Sequence, residues 1–431
     1  MAPSLLFLAQ LPRPSAARHA QLSDVPVMAS TSAPLALAFS NVGHSFSHLF
    51  MLLYPTVVLA LEHEFGMSYG ELLALLTVGN VLFGIGALPA GWLGDRWSMP
   101  AMMVVFFIGL GSASVLTGFM ASPLGIAVGL ALIGLFASIY HPVGMAWLVR
   151  NAVNRGKVLG INGIFGSLGV ASAGLTAGVL TDLINWRAAF IIPGVVAIAT
   201  GLVLLACVRS GRIVERKTDV KPRPETSHRD MVRAFVVLSV TMLCAGLIFQ
   251  AVSSALPKVF AERLPDLTNG RALGAGGLVS LVYFLAAGAQ FLGGHLADRY
   301  SARPIYILAY VIQAPLLFLA AGLYGLPLLF AVSTAVFLNT TAVPVENVLL
   351  AHYSPSKWRG TAFGAKFVLA LGVGALAVPM VAVIHEVTGD FWWLFVVLGG
   401  LAAAIVLAAV LLPADKQTAL AAVQPAPGSP D

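Results

Sequence analysis

Two ionisable side chains stand alone within long apolar stretches of this chain, and they are the strongest candidates for chemistry. Glu346 is the one carboxylate, and Lys366 the one cation, that we place well inside such a stretch. An ionised group at mid-depth in a membrane costs at least about 3 kcal/mol, so each one needs a partner or a water-filled cavity. The two stretches are consecutive and joined by a short loop, so the two charges can pair. Such a pair either exchanges a proton with solvent or is a structural salt bridge between helices.

A polar face in the first long apolar stretch is a second candidate. Asn41, His44 and His48 are spaced i, i+3 and i+7, which places them on one face of a helix. They either line a water-filled cavity or hydrogen-bond neighbouring helices. Further polar residues inside apolar stretches are candidates for the same substrate or proton pathway: Asn162, Gln250 and Asn339.

Tyr140 and His141 form a third candidate group, directly before Pro142. Proline removes a backbone donor and frees a carbonyl, so we expect a kink in the helix at this point. A histidine beside a kink can take up protons near neutral pH. Alternatively, His141 is a neutral packing residue that bonds the freed carbonyl.

These candidates lie in a chain that is too apolar for a soluble protein. Hydrophobic residues make up 58% of the 431 residues and charged residues 10%, and the mean hydropathy is +0.90. A soluble domain carries about a quarter charged residues, and an apolar run of about 20 residues is long enough to cross a membrane as a helix. The composition therefore excludes a soluble enzyme and predicts an all-α membrane protein.

Motifs of common enzyme classes are absent from the sequence. It contains no HExxH, no GxxxxGK[ST] loop and no GxSxG, so we expect no enzyme activity and no use of ATP by this chain. We also expect no cofactor and no metal site, and we interpret Cys207 and Cys244, which lack a ligand spacing, as packing residues. Basic loops beside a membrane explain the net charge of +6, so no nucleic-acid partner is expected.

The apolar runs and the polar breaks between them predict twelve membrane-spanning helices. The longest break, 209–232, is rich in Lys and Arg and separates two halves of six spans, 35–208 and 233–413. Residues 1–34 and 414–431 are predicted to be disordered tails. The predicted spans are 35–61, 71–92, 100–119, 123–148, 158–181, 187–208, 233–257, 273–297, 303–323, 326–350, 360–385 and 391–412.

The distribution of basic residues predicts the orientation of these spans. One side receives both tails, the central loop and the 2–3, 4–5, 8–9 and 10–11 loops, with 19 of the 24 Lys and Arg residues, against 4 on the other side. Basic residues accumulate in cytoplasmic loops, so both termini are expected in the cytoplasm. On the opposite side we expect the acidic residues of the 1–2 loop, Glu62, Glu64 and Glu71, to form a solvated face.

The two halves repeat one another in sequence. Three loop signatures recur at offsets of 202 to 204 residues: Pro55 with Pro257, Gly91 with Gly294, Asp95 with Asp298, Arg96 with Arg299, and Arg155 with Arg359. Because each half has six spans, both halves enter the membrane from the same side, as parallel repeats related by an axis along the membrane normal. In this register Gln250 matches His48, and Lys366 matches Asn162.

The recurring loop resembles the signature of the major facilitator superfamily. Its first copy reads GWLGDR at 91–96, followed by Ser-Met-Pro where a basic residue is usual; the second, GHLADRYSAR at 294–303, is nearer to the family pattern. The resemblance covers about 35–413 and implies the major facilitator fold, in which two halves alternate access to a central site. It also implies that these loops latch the halves in the outward-facing state, through Gly91, Asp95, Arg96, Gly294, Asp298, Arg299 and Arg303.

Within that superfamily the first half is most similar to the fosmidomycin-resistance type of exporter. The similarity rests on Ser-His-Leu at 47–49, Tyr-His-Pro at 140–142 and the glycines of the fifth span. It implies proton-coupled efflux. The sequence departs from that type at Val143 and Gly144, where an acidic residue is expected, and its fifth span lacks the Gly-Pro pair of many antiporters.

The working hypothesis is a secondary transporter of the bacterial inner membrane that exports a small organic compound, of the drug or antimicrobial efflux type, in exchange for protons. We expect a monomer whose partners are the substrate, protons and the lipid bilayer. One alternative is uptake of a small organic acid by proton symport. Another, from a different class, is a non-transporting sensor or assembly factor with the same fold.

Overall fold

The computed structural model describes residues 32–152, 155–214, 228–354 and 359–413, and within these ranges every regular element is helical. Twelve of these helices are long and apolar enough to span a membrane, which confirms the predicted all-α membrane fold. We number these spans α1 to α12: Ser32–Phe65, Tyr69–Arg96, Met99–Gly118, Pro123–Asn151, Val158–Leu183, Ala188–Arg209, Arg229–Arg263, Ala272–Arg299, Ala302–Ala320, Gly325–Tyr353, Ala362–Thr388 and Trp392–Ala409.

The span limits differ from the predicted ones by a few residues. α1 begins at Ser32, inside the segment 1–34 that was predicted to be a tail. The helix of α6 ends at Arg209 and the helix containing α7 begins at His228, so the predicted loop 209–232 includes helical residues at both ends. The rest of both predicted tails, 1–31 and 414–431, and the middle of that loop, 215–227, lie outside the described residues.

Two of the spans contain a wide π-helical turn. In α4 this turn covers Tyr140–Gly144, and in α11 it covers Val368–Val373. Pro142 has no N–H to donate and its ring crowds the preceding turn, which favours a local widening of α4 at this point. The distortion lies where the sequence predicted a kink.

The two halves meet along two pairs of helices, α5 with α8 and α2 with α11. Glycine allows these contacts, because helices approach closely in a membrane where side chains are small. A Cβ on Gly174 of α5 would overlap the backbone of Gly276 in α8. A Cβ on Gly84 of α2 would likewise overlap the Cα of Gly372 in α11. The backbones of the two halves are therefore in direct contact at both of these crossings.

Several polar contacts between the halves lie at one membrane edge, which we call the closed edge; others, such as Gln290 with Ser167, join α8 to α5 within the spans. The closed edge is formed by the end of α1, the start of α2, the end of α5, the end of α7 and the start of α8. Lys258 binds both carboxylate oxygens of Glu62 at 2.8 Å. Asp182 accepts a hydrogen bond from the backbone N–H of Leu273 at 2.8 Å. These bonds hold the halves together on this side.

The opposite edge, which we call the open edge, carries the loops that repeat between the halves. Gly160, Gly294 and Gly364 lie there, and a Cβ built on any of them would meet no atom within 4 Å. The space around these backbone positions is open. These three positions are therefore not packed against another helix, whereas the closed edge is held by the hydrogen bonds and ion pair described above.

Candidate functional site

The predicted ion pair is formed in the second half, between α10 and α11. Lys366 Nζ lies 2.7 Å from Glu346 Oε1, and both residues are buried, with 8% and 5% of their surfaces exposed. The hydroxyl of Tyr306 in α9 donates to Glu346 Oε2 at 2.6 Å. Lys366 also donates to the side-chain oxygen of Asn347 at 2.6 Å. Both carboxylate oxygens are thus satisfied by donors from two different helices, and we call these four residues the charged cluster.

Tyr306 is a member of this cluster that the sequence did not identify. A single tyrosine in an apolar span has no distinctive spacing, and α9 holds a second one four residues later, Tyr310, whose ring packs edge-on at 5.1 Å. The pattern that could have indicated it is the pair of tyrosines on one helical face, because buried hydroxyls need hydrogen-bond partners on neighbouring helices. The partner of the first is Glu346.

A second cluster lies in the first half and contains three histidines. His44 and His48 face each other across one turn of α1, with their Nε2 atoms 3.2 Å apart. One ring nitrogen of His141, from the π-turn of α4, completes a group of three ligand atoms that all lie within 4.8 Å of one another. His141 is 7% exposed, and neither of its nitrogens has a hydrogen-bond partner among the described residues. We call these residues the histidine cluster.

Asn162 of α5 links the histidine cluster to the rest of the first half. His44 Nδ1 lies 2.7 Å from the backbone oxygen of Asn162. The Asn162 amide donates to Asn41 at 3.0 Å and to the Tyr140 hydroxyl at 2.9 Å. Asn41 and His44 therefore form hydrogen bonds with a neighbouring helix, which is one of the two alternatives for this polar face. Among the described residues, the side chain of His48 forms a hydrogen bond only with His44.

His141 faces the second half of the molecule. Its ring stacks on that of Phe367 in α11, with centroids 4.7 Å apart and planes inclined at 24°. It makes no hydrogen bond to a carbonyl freed by Pro142, so of the packing alternative only the buried, ring-stacked position is observed. Phe367 directly follows Lys366, so one short segment of α11 touches the histidine cluster with one side chain and joins the charged cluster with the next.

Asn339 and Gln250 lie apart from both clusters. Asn339 lines a small cavity between α7, α8, α9 and α10, and its Nδ2 has no partner among the described residues. The Tyr283 hydroxyl and Gln313 Oε1 line the same cavity and are unpartnered in the same sense. Gln250 is buried in α7, and no described hydrogen bond joins its side chain to either cluster. The shared helical face of Asn339 and Glu346 therefore does not place the two side chains in one network.

The first copy of the repeated loop makes its contacts within the first half. Asp95 pairs with Arg150 at the end of α4 at 3.3 Å, and the two side chains are 67% and 32% exposed. The guanidinium of Arg96 lies over the Trp92 ring, 4.2 Å from its centroid. Gly91 packs towards α4, since a Cβ there would lie 3.1 Å from the ring of Pro142.

The second copy of the loop is arranged differently. Asp298 and Arg299 are exposed and form no hydrogen bond or ion pair with another residue in the described ranges. Gly294 faces open space. Arg303 donates to the backbone oxygen of Val410 at the end of α12 at 2.7 Å. None of these contacts joins the two halves.

Side chains at the closed edge form more hydrogen bonds and ion pairs than we expected from the sequence. Glu64 and Glu71 are exposed, as expected for a solvated face, although Glu64 also accepts hydrogen bonds from Trp186 Nε1 and Arg187. Glu62 departs from the expectation, because it is partly buried and pairs with Lys258. Glu71 has a further role that we did not predict: with Ser68 it forms a capping box at the start of α2.

Arg263 is one of the four basic residues that we assigned from the sequence to the loops on the less basic side. In the structure it is buried at the end of α7. It donates to the backbone oxygens of Ala320 and Ala321 and to the carboxylate of Asp390 in the 11–12 loop. Burial opposes ionisation of Asp390, but the hydrogen bonds from Arg263 and from the Phe391 N–H outweigh it, and the pKa of Asp390 is lowered. This pair ties α7, α9 and α12 together.

Comparison with known proteins agrees with this architecture. A family model described as Major Facilitator Superfamily matches residues 39–288 and 264–427. Inner membrane transport protein YnfM of Escherichia coli is 30% identical over 182 residues, which is 40% of this chain and 42% of that protein. The "Probable 4-methylmuconolactone transporter" of Cupriavidus pinatubonensis is 30% identical over 275 residues, 60% of this chain and 61% of that one. Puromycin resistance protein pur8 of Streptomyces alboniger is 29% identical over 151 residues, 34% and 29% of the two chains. Each of these similarities spans less than two thirds of the length of the relative.

Solved structures share the fold at low sequence identity. A bacterial homologue of the human lysosomal transporter Spinster, inward-facing and unoccupied, aligns with a TM-score of 0.65 and 14% identity, over 88% of this chain and 95% of that one. A peptide transporter POT in complex with alafosfalin aligns with a TM-score of 0.69 and 16% identity, over 88% and 93% of the chains.

Proposed function

The chain belongs to the Major Facilitator Superfamily, and from this membership we propose that it exports a small organic compound in exchange for protons, with Glu346 as the proton-carrying group. The membership makes it a multi-pass membrane transporter. The proposal that Glu346 carries the proton rests on its buried pair with Lys366, in which the charged atoms are 2.7 Å apart. A carrier driven by a gradient needs a group that changes charge as the central space switches sides.

The charged cluster has the parts that such a proton exchange requires. Burial disfavours an ionised carboxylate, and a cation in contact favours it. In the present state Lys366 and the Tyr306 hydroxyl contact the two carboxylate oxygens of Glu346. If Lys366 moves away, the buried carboxylate loses its cation and takes up a proton. Making and breaking the pair once per cycle therefore takes up and releases a proton.

α11 is the element that can connect this pair to the movement of the halves. Lys366 lies just before the π-turn Val368–Val373, and such wide turns often mark functional positions in helices. Gly372, within that turn, packs directly on Gly84 of the other half. Rocking of one half against the other therefore acts on the segment that carries Lys366.

We assign the closed edge to the extracytoplasmic side, because 19 of the 24 Lys and Arg residues belong to the other side. In this assignment the structure is inward-facing, both termini are cytoplasmic, and the membrane is a bacterial inner membrane in which the protein acts as a monomer. Outward opening must break the contacts of Glu62 with Lys258 and of Asp182 with Leu273. It also brings the open-edge loops together, so that they can act as a latch.

The orientation has a direct test in intact cells. A single cysteine at Lys221, with Cys207 and Cys244 replaced by serine, should react with an impermeant thiol reagent only after permeabilisation. A cysteine at His63, beside the closed edge, should react without it. Labelling of residue 221 in intact cells would reverse the assignment of the two edges.

We place the substrate pathway along the central space between the two clusters. The histidine cluster, with Tyr140 and Asn162, supports this because His141 faces α11 across the boundary between the halves. We assign Gln250 and Asn339 to the same pathway because both are polar side chains buried within spans, in α7 and α10. Lys366 and the histidines would suit an anionic substrate.

Export and uptake by proton symport use the same rocking fold, so the relatives are the guide to direction. The similarity to a puromycin resistance protein supports export. The similarity to a protein named as a transporter of 4-methylmuconolactone supports a second candidate, proton-coupled uptake of a small organic acid. In uptake, proton and substrate move together, and in export they move in opposite directions.

Flux in reconstituted vesicles tests the proposal. The purified protein is placed in vesicles with an internal pH indicator and exposed to a panel of antimicrobials and organic acids. Export by antiport predicts that a substrate gradient moves protons in the opposite direction, whereas symport predicts the same direction. An Asp266→Asn variant, altered at an exposed carboxylate outside the membrane, should behave as wild type. Flux without a pH change would exclude proton coupling, and no flux with any compound would favour the non-transporting alternative.

A further inference from the structure

The histidine cluster has the composition of a metal site, in contrast to the expectation from the sequence that the chain holds none. Two of its members lie one turn apart on α1, and the third lies in α4, 93 positions beyond His48 in the chain. Their ligand atoms lie within 4.8 Å of one another. No carboxylate or thiol belongs to this group. Three imidazoles that converge on one point are the donor set preferred by zinc and its neighbours among the first-row transition metals.

The hydrogen bonds of His44 fix which of its nitrogens can bind a cation. Its Nδ1 lies 2.7 Å from the carbonyl oxygen of Asn162, and because a carbonyl only accepts, Nδ1 carries the hydrogen. Its Nε2 therefore presents a lone pair towards His48. A histidine that donates one N–H to a backbone carbonyl while its other nitrogen faces a metal is the usual arrangement of metal ligands.

The spacing of the nitrogens fits a small tetrahedral ion. Zinc–nitrogen distances of about 2.0–2.1 Å place two ligands of a tetrahedral site about 3.3 Å apart. The Nε2 atoms of His44 and His48 are 3.2 Å apart, with a single proton shared between them in the metal-free protein. A cation between these two rings takes the place of that proton. His141 needs only a small side-chain movement to complete the set.

His141 supplies the independent indication of a ligand. It is more than nine-tenths buried, and both of its nitrogens lack a partner in the described part of the chain. A buried polar group without a partner costs about 1–3 kcal/mol. Coordination by one nitrogen would satisfy it, and the nearest candidates to share a cation are the two histidines of α1.

We propose that His44, His48 and His141 bind one divalent transition-metal ion, with Zn²⁺ as the reference ion, and leave its fourth position open. The cluster contains no anionic ligand, and an uncompensated dication is costly in a buried site. The fourth position therefore favours hydroxide or an anionic group of a bound molecule. This site goes beyond the proposed function and does not depend on proton coupling by Glu346.

Metal binding is measured on the full-length protein in detergent, purified with a tag that contains no histidine and stripped with a chelator. Co²⁺ is the probe, because three nitrogen ligands in a tetrahedral site give intense visible absorption bands, and Zn²⁺ is then used to displace it. We expect one Co²⁺ per chain, tetrahedral bands and full displacement by Zn²⁺. His48→Gln and His141→Gln should each weaken binding more than about tenfold, since even outer-shell changes cost about 10–100-fold.

The controls separate coordination from folding. His63→Gln removes an exposed histidine from the same half and should leave Co²⁺ binding unchanged. His48→Cys keeps a ligand at this position and should retain binding with a new sulfur-to-cobalt charge-transfer band. Wild-type protein without tetrahedral bands would overturn the proposal. Binding that persists unchanged in His141→Gln, or that His63→Gln removes, would overturn it as well.

Discussion

The two halves place polar side chains at corresponding positions but give them different chemistry. In the repeat register Asn162 of α5 corresponds to Lys366 of α11, and Pro142 of α4 corresponds to Glu346 of α10. The amide of Asn162 joins a neutral network with Asn41 and Tyr140. The ammonium of Lys366 instead meets a carboxylate at 2.7 Å.

The same contrast extends to the third helix of each half. Tyr306 in α9 corresponds to Met103 in α3, and only the tyrosine can donate to the second oxygen of the carboxylate. The backbone arrangement thus accepts either a neutral network or an ion pair at this depth. A buried ion pair needs every lone pair satisfied, and the second half supplies the additional donor. At this depth the buried charge therefore lies in the second half, where we propose that proton coupling takes place.

Removing the cation should have the largest effect. Lys366→Ala leaves an unpaired carboxylate in the interior and should lower the free energy of unfolding by about 3–5 kcal/mol at neutral pH. Asn162→Ala, at the corresponding position of the first half, should cost about 1 kcal/mol, because it removes hydrogen bonds between neutral groups. Denaturant unfolding of both variants in one detergent measures the difference, and equal losses would break the comparison.

The pH dependence of the Lys366→Ala variant sharpens this comparison. The carboxyl of Glu346 is cheaper to bury when neutral, so the stability deficit of the variant should shrink as the pH falls. For the same reason the pH optimum of transport should move upward in this variant. The deficit of Asn162→Ala should not depend on pH. Unfolding measured at two pH values on both variants tests this, and a constant deficit for Lys366→Ala would show that Glu346 is not left charged by the mutation.

The two tyrosines provide the next largest effect. Tyr306→Phe removes a hydrogen bond to a charged group and should cost about 1.5–3 kcal/mol, while Tyr140→Phe removes one to a neutral amide and should cost about 0.5–1.5 kcal/mol. Thermal unfolding of the two variants under the same conditions measures both. A larger loss for Tyr140→Phe would contradict the assignment of charge to the second half.

The contact between the halves can be tested at Gly84. Alanine there overlaps the backbone of Gly372, which cannot easily move, so Gly84→Ala should destabilise the protein by about 1–3 kcal/mol and slow transport. Gly288→Ala is the matched control, because a Cβ at Gly288 meets no atom within 4 Å. Equal stability of the two variants would show that the halves do not depend on this close approach.

The smallest effect on stability is expected at the repeated loops. Asp95→Asn breaks an exposed pair with Arg150 and should cost about 0.5 kcal/mol or less, and Asp298→Asn, which loses no described partner, even less. Both variants should slow transport without weakening substrate binding, since the loops act only when the open edge closes. Flux and equilibrium binding on one preparation separate these effects. A folded variant that no longer binds substrate would rule out the latch role.

Sequence patterns predicted the architecture because lipid imposes simple constraints on length and polarity. The same constraints made Glu346 and Lys366 conspicuous, and their position on consecutive helices predicted the pair. Tyr306 was missed because a tyrosine is common in apolar spans and its neighbour is 40 positions away. The meeting of His141 with the histidines of α1 depends on the packing of α1 against α4, which no periodicity in either helix determines. The expectation of no metal site rested on short-range spacing alone.

The proposal that Glu346 is the proton-carrying group is tested most directly by counterflow in vesicles. With a substrate identified by the flux panel, Glu346→Gln should lose all accumulation driven by a pH gradient, because its amide cannot exchange a proton. The variant should still exchange labelled for unlabelled substrate, since exchange requires no net proton movement. If Glu346→Gln accumulates substrate against its gradient as wild type does, Glu346 is not the coupling group and the contrast between the halves has no role in transport.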